Sequence, residues 1–207
     1  FNNLVIASSL VFIGWSILIK NHLEKKSDNR WVGVSLGAAS VIDLVSGGVS
    51  FLLAIFFQLC HKQSVKQTIS WALPFGLLHF LLTWQMTGSF LPVSIQPTLF
   101  QFPGSYWLGP QGIDVLSQSR VVYLFNLVFG THGFVLYSPI VIFGLVGLWQ
   151  FRKQNKFSNL LAMFALVYTS FVLAFYTIVT NNFGGTSFGS RWLLPLLAPI
   201  MFFSGYL

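Results

Sequence analysis

Charged residues are scarce in this chain. Lysine, arginine, aspartate and glutamate together make up 7% of the 207 residues, whereas 55% are hydrophobic and 17% are aromatic. Soluble domains carry about a quarter of charged residues, so this mixture is typical of a protein that lies in a lipid bilayer. The composition therefore predicts an integral, multi-pass membrane protein.

Cysteine is almost absent too, and so are the motifs of common cofactor sites. The single Cys60 excludes an internal disulfide and indicates neither a metal centre nor a redox pair. No pair of His, Asp, Glu or Cys has ligand spacing, so the residues give no support for a divalent metal. The sequence also lacks a phosphate-binding loop, a dinucleotide fingerprint and a Ser-His-Asp arrangement. We therefore assign no cofactor.

The net charge of +7 is concentrated in three short clusters rather than on a broad basic face. Nine of the eleven Lys and Arg residues lie in them, which argues against a nucleic-acid partner and follows the positive-inside rule. His22 and His61, beside the first two clusters, are expected to be ordinary cytoplasmic loop residues. The first cluster is Lys20, Lys25, Lys26 and Arg30, the second is Lys62 and Lys66, and the third is Arg152, Lys153 and Lys156.

Placing all three clusters in the cytoplasm requires an even number of spans between neighbouring clusters. About 30 residues separate the first two clusters, fewer than two full spans of about 20 residues need. Asp43 interrupts this apolar run near its middle and is followed by Ser46-Gly-Gly48, where a turn is expected. We predict two short helices in a hairpin. The alternative is one long tilted helix with Asp43 in mid-membrane, which would put the two clusters on opposite sides.

The resulting prediction is an all-α fold, a polytopic transmembrane helical bundle of six to seven membrane helices in one domain, 1–207. An external loop over 87–119 leads into a short interfacial helix at 120–133. Because Phe1 is not an initiator Met and Leu207 ends within an apolar run, we expect a fragment of a longer chain. The spans are expected at 4–19, 32–45, 49–60, 68–86, 134–151, 159–180 and 192–207.

Arg191 is the strongest candidate for a binding residue. It has no charged neighbour within ten positions on either side, and an unpaired cation at a membrane boundary is usually functional or paired from elsewhere. A planar guanidinium captures phosphate in a bidentate manner, which makes a lipid phosphate its natural partner. Gly185 and Gly189 would let backbone amides approach the same anion. The alternative is an interfacial arginine that snorkels to water and anchors its helix.

Other polar residues are expected on the same external face. Asp43 is the only acid inside an apolar segment; it either holds a sugar hydroxyl or a basic partner, or simply ends a helix at the hairpin. His132 and Tyr137 are candidates to line the same cavity, the alternative for His132 being a single backbone hydrogen bond. Asp114 and Arg120 are expected to be solvated loop residues.

Three segments carry a family resemblance. They are Gly33-Val-Ser-Leu-Gly37 through Asp43, Phe129-Gly-Thr-His-Gly-Phe-Val-Leu-Tyr-Ser-Pro139, and Gly184-Gly-Thr-Ser-Phe-Gly-Ser-Arg-Trp-Leu-Leu-Pro195. Together they resemble the C-terminal half of the transmembrane core of GT-C glycosyltransferases. The bacterial branch related to protein O-mannosyltransferases and lipid A aminoarabinose transferases is the most similar. Ser190 stands where that family often has proline and Trp192 where it often has tyrosine, but both leave Arg191 in place.

The resemblance implies an enzyme that transfers a sugar from a polyprenyl-phosphate donor to an acceptor on the external membrane face. It implies that Arg191 contacts the leaving phosphate, and that an acidic general base lies upstream of Phe1, so no catalytic residue is named here. It favours the bacterial inner membrane, with the endoplasmic reticulum second, and leaves the sugar, the acceptor and a divalent metal open. A transporter or lipid flippase and a non-catalytic membrane subunit are the alternative functions.

Overall fold

The computed structural model describes residues 3–91, 96–99, 101–105, 118–130, 133–180 and 191–207. Within these ranges every regular element is helical, which confirms the all-α prediction. Two 3-10 turns, Pro97–Leu99 and Arg191–Leu196, accompany nine α-helices among the described residues. These are α1 (Asn3–Leu23), α2 (Arg30–Ile42), α3 (Leu44–Cys60), α4 (Lys66–Thr87), α5 (Arg120–Val128), α6 (Phe134–Tyr137), α7 (Ile140–Phe151), α8 (Lys156–Val179) and α9 (Leu197–Ser204).

Fewer of the described helices are long enough to span a membrane than the charge pattern predicts. A span needs about 20 apolar residues, and among the described helices only α1 and α8 are long and apolar enough. Helices α2, α3 and α7 are apolar but shorter, and so is the segment that joins the second 3-10 turn to α9. By length and composition, two helices in the described part of the chain could therefore cross a membrane.

Helices α2 and α3 form a hairpin with its turn at Asp43, not one long helix. The backbone of Asp43 is extended, with φ −142° and ψ 104°, which ends α2. Its carboxylate accepts hydrogen bonds from the Ser46 amide, at 3.0 Å, and from the Ser46 hydroxyl, which caps α3. The two helices approach closely because Gly47 has no side chain; a Cβ there would lie 2.3 Å from the Ala39 carbonyl carbon.

All three basic clusters lie at one end of the helices, which we call the basic end. The His22 ring, at the end of α1, lies 4.9 Å from the Phe157 ring at the start of α8. The His22 Nδ1 also lies 3.2 Å from the Gln63 Nε2, just after α3. At the opposite end, the far end, the Asn3 side chain donates to the carbonyl of Ile42 at 3.5 Å. Helix α2 therefore runs antiparallel to α1, and α3 runs antiparallel to α2.

The two histidines of the basic end are not ordinary loop residues. Their ring centroids lie 4.1 Å apart, and both rings contact the buried Phe57 of α3. Both were expected to be ordinary cytoplasmic loop residues, but His22 lies within α1, and ring packing joins the ends of α1 and α3 here. The Gln58 amide also donates to the Thr68 hydroxyl at 2.8 Å, joining α3 to α4.

The expected span 134–151 is divided at Pro139. Ser138 has φ −135° and ψ 70°, outside the helical region, because the proline ring clashes with a helical residue before it. The result is the short α6 followed by α7. The backbones of α7 and α9 then approach each other closely. A Cβ on Gly147 would lie 1.9 Å from the Phe203 carbonyl oxygen.

Two further boundaries differ from the sequence prediction. The interfacial helix, expected at 120–133, ends as an α-helix at Val128. The expected span 192–207 begins with the 3-10 turn Arg191–Leu196, which contains Pro195, and becomes α-helical only at Leu197. Proline removes an amide donor from the helical ladder, which explains the tighter turn ahead of α9.

Candidate functional site

Arg191 lies at the far end, and two stacked rings connect it to α8. It is the first residue of its 3-10 turn and is exposed. Its guanidinium carbon lies 5.2 Å from the centroid of the Trp192 ring. The Trp192 ring in turn stacks on Tyr176 of α8, with centroids 5.3 Å apart and planes 20° apart. A cation over an aromatic face is attracted by the ring quadrupole, so the stack orients Arg191.

The charge of Arg191 has no counter-ion in the part of the chain that the structure describes. The ion pairs found there are Lys26 with Glu24 and Arg30 with Asp28, both at the basic end. No described carboxylate lies within 4.0 Å of the Arg191 guanidinium nitrogens.

Asp43 lies at the same end but is engaged in capping α3. It is half-buried, and the structure, which describes both residues, shows no ion pair between Asp43 and Arg191. Tyr168 and Tyr176 lie close enough to Asp43 to interact with its charge. The buried Tyr168 hydroxyl is near Ser46, yet it makes no hydrogen bond of normal geometry within the described ranges. The helix-ending interpretation of Asp43 is thus observed.

Arg120 and Tyr123 of α5 contact the end of α8, a contact that the sequence did not reveal. The Arg120 Nη1 donates to the Thr177 carbonyl at 3.2 Å and also to the Thr180 carbonyl. The last four carbonyls of a helix have no partner within it, and a cation beside them is favourable. Arg120 is exposed, as expected, but it begins α5 rather than lying in a loop, and it binds the end of α8. No sequence signal links residues that are 57 positions apart.

Burial raises the pKa of the Tyr123 hydroxyl, an effect that the hydrogen bond to Thr180 and the charge of Arg120 partly offset. This hydroxyl lies 2.7 Å from the Thr180 Oγ1. Because the pKa is raised above its ordinary value, Tyr123 remains protonated at neutral pH and can donate to Thr180.

The remaining site candidates are less informative. Tyr137 is the last residue of α6 and is 46% exposed, so its ring is accessible at the far end. His132, Gly185, Gly189 and Asp114 lie outside the described residues. Within the ranges that are described, no group of three or more His, Cys, Asp or Glu is placed to hold a metal ion.

An apolar groove runs along α1 and α9, and we call it the α1–α9 groove. It consists of two depressions that share Phe12 and Ala198. One reaches Leu194, in the turn that Arg191 begins, and the other extends to Trp15 in the middle of α1. Almost the whole lining is hydrocarbon, so the groove suits an apolar chain better than a polar ligand.

No protein-family model, curated protein or solved structure matches this chain. The assignment of a site therefore depends on the geometry of these residues.

Proposed function

We propose that this chain is part of a GT-C-type membrane glycosyltransferase that takes a sugar from a polyprenyl-phosphate donor at the far end of the helices. The observation that carries the proposal is that Arg191 is exposed, has no counter-ion among the described residues, and precedes by three positions Leu194, which lines the α1–α9 groove. A cation beside a long hydrocarbon groove matches a ligand with a phosphate on a prenyl chain. Neither a free phosphate nor a simple sugar needs such a groove.

The helices are proposed to form a multi-pass bundle. Large apolar side chains are exposed on helices all around the structure, including Leu52, Leu77, Leu145 and Phe171, and water would solvate them poorly. The shorter helices can cross by thinning the bilayer locally or by continuing through neighbouring turns. The basic end is proposed to face the cytoplasm and the far end the outside. The family resemblance favours the bacterial inner membrane.

The proposed reaction is a displacement at the anomeric carbon of the donor sugar. The acceptor hydroxyl oxygen forms the new bond to that carbon while a general base takes its proton. The bond to the phosphate oxygen breaks, and polyprenyl phosphate leaves with the bonding electrons. Arg191 would stabilise the charge that grows on this phosphate, because a fixed cation stabilises charge that develops in the transition state. No described residue is assigned as the base.

The test is Arg191→Ala in the full-length protein in its native membrane. We expect transfer from a polyprenyl-phosphate sugar to fall by about 100-fold, the usual effect of removing one donor to a developing charge, with normal membrane insertion. Arg191→Lys should be intermediate because lysine cannot bind phosphate in a bidentate manner. Arg152→Ala is the matched control, since Arg152 also lies over a tryptophan ring, 4.8 Å from that of Trp149, but at the basic end. Unchanged transfer in Arg191→Ala would overturn the proposal.

Lipid transport is the second candidate, and the same groove favours it. A flippase would move a lipid phosphate across the bilayer without breaking the bond to the sugar. Proteoliposomes that carry a labelled polyprenyl-phosphate sugar distinguish the two. Label that changes leaflet but stays on the lipid supports transport, whereas label that appears on an acceptor supports the transferase.

A further inference from the structure

We propose that α5 is a positioning element, in which Tyr123 and Arg120 hold the end of α8 and thereby fix the ring stack that carries Arg191. The inference rests on the proposed function, because it assigns these residues an effect on phosphate binding. The contact concerned is the one that Arg120 and Tyr123 make with the end of α8.

The first step is the direction of the hydrogen bond between Tyr123 and Thr180. The Thr180 hydroxyl donates its single proton to the Tyr176 carbonyl, at 2.5 Å. Its oxygen can then only accept from Tyr123, whose oxygen lies 2.7 Å away. Tyr123 is 2% exposed and Thr180 is half-buried, which limits the access of water to this bond. The bond therefore fixes the side chain of the residue that follows α8.

The second step is the charge of Arg120. Its guanidinium donates to the carbonyls of Thr177 and Thr180, the same turn that Tyr123 contacts. The carbonyl end of a helix carries partial negative charge, which favours the Arg120 cation there. Arg120 and Tyr123 therefore bind the same turn at the end of α8. Helix α5 buries Tyr123 and Leu127 in the same apolar cluster as Tyr176 of α8, so these polar contacts act on two helices that already pack together.

The third step connects this turn to Arg191. Thr180 is bonded to Tyr176, one helical turn earlier, and the Tyr176 ring stacks on Trp192. Trp192 in turn contacts Arg191, whose guanidinium carbon lies 5.2 Å from the centroid of the Trp192 ring. Every link is a direct contact between described residues. A displaced end of α8 would therefore displace the indole and the cation above it.

The experiment uses the full-length protein in nanodiscs and the variants Tyr123→Phe, Thr180→Val and the double variant. The probes are farnesyl phosphate, for the dissociation constant, and a polyprenyl-phosphate sugar, for KM and kcat. Each single variant should raise the dissociation constant and lower kcat/KM by roughly three- to tenfold, the range of one hydrogen bond, because Arg191 is proposed to contact the phosphate both before and during its departure. The double variant should be no worse than the poorer single one, because both changes remove the same bond.

Thr177→Val is the matched control. It removes a hydroxyl from the same turn of α8, but that hydroxyl bonds only within the helix, to the Leu173 carbonyl at 2.7 Å. It should leave both constants unchanged. Arg120→Lys should retain more affinity than Arg120→Ala, because lysine keeps the charge beside the helix end. Additive losses in the double variant, or a fall in kcat with an unchanged dissociation constant, would overturn the inference.

A second readout separates this inference from the proposed function. In protein labelled with 5-fluorotryptophan, the ¹⁹F resonance of Trp192, assigned with Trp192→Phe, should shift in Tyr123→Phe and not in Thr177→Val. An unmoved resonance rejects the positioning role even if Arg191→Ala abolishes phosphate binding. A resonance that shifts in Tyr123→Phe supports the positioning role. If Arg191→Ala also binds farnesyl phosphate as well as the unmodified protein, the phosphate site is rejected instead.

Discussion

The rings of His22 and Phe157 lie parallel, with centroids 4.9 Å apart and planes only 2° apart. This contact joins the end of α1, beside the first basic cluster, to the start of α8, beside the third. Aromatic stacking of this kind contributes about 0.5–1.5 kcal/mol beyond the area buried. The contact brings distant lysines and arginines to one end of the structure, the end that is proposed to face the cytoplasm.

That orientation can be tested with the natural cysteine. Cys60 is exposed and is the last residue of α3, at the basic end. In intact cells a membrane-impermeant maleimide should not label it, whereas permeabilised cells should react. Gln118→Cys in a Cys60→Ser background should be labelled in intact cells, because residue 118 immediately precedes α5 at the far end. Labelling of Cys60 from outside would reverse the proposed topology.

The contact between α7 and α9 should depend on glycine. A Cβ at position 147 would lie 1.9 Å from the Phe203 carbonyl oxygen, so Gly147→Ala forces the helices apart. We expect a loss of about 1–3 kcal/mol in the free energy of unfolding, measured by denaturant titration in detergent. Gly76→Ala is the control, because its added Cβ meets nothing within 4 Å in the interior of α4. It should be neutral or stabilise by up to about 1 kcal/mol.

Asp43 can be assigned to capping or to the site by two substitutions. Asp43→Asn keeps an acceptor for the Ser46 amide and should retain stability and transfer activity. Asp43→Ala removes the cap of α3 and should lower the free energy of unfolding by about 1 kcal/mol. A large loss of transfer in Asp43→Asn at unchanged stability would contradict this assignment and indicate that the carboxylate charge acts in the site.

The carboxyl of Asp28 should titrate at unusually low pH. Its hydrogen bonds to Arg30 lower its pKa from the ordinary 3.8 to about 2. The folded state therefore gains stability from this group above pH 3.8 and loses it as the pH falls toward 2. NMR of the Asp28 carboxyl carbon should show a midpoint near 2, and Arg30→Ala should return it toward 3.8. A midpoint that Arg30→Ala does not move would contradict the ion pair seen here.

The α1–α9 groove should distinguish donors by chain length. Ala198 lies where its two depressions meet, so Ala198→Phe should block passage along the groove. We expect KM for a long polyprenyl-phosphate sugar to rise roughly tenfold, which corresponds to about 1.4 kcal/mol, with a smaller rise for a farnesyl-phosphate donor. Ala198→Ser retains the volume and is the control. An equal rise for both donors would place the prenyl chain elsewhere.

Several features could be predicted because they depend on local chemistry. Asp43 in an apolar run, followed by glycines, predicted a helix break, and the break is at that residue. The division at Pro139 was missed, although a proline within a predicted span is a local signal. The packing of His22 against His61 was missed for a different reason: their positions are 39 residues apart, and nothing local specifies such a pair.

The sequence by itself determined the helical class and the hairpin at Asp43, and it identified Arg191 as a candidate binding residue. Composition, helix breaks and isolated charges are all features of a few neighbouring residues. Only the tertiary structure decided what surrounds these features. It placed Trp192 on Tyr176, and it joined Arg120 and Tyr123 to the end of α8. Such contacts depend on which helix faces pack together, and that choice is made by the whole core rather than by any segment of it.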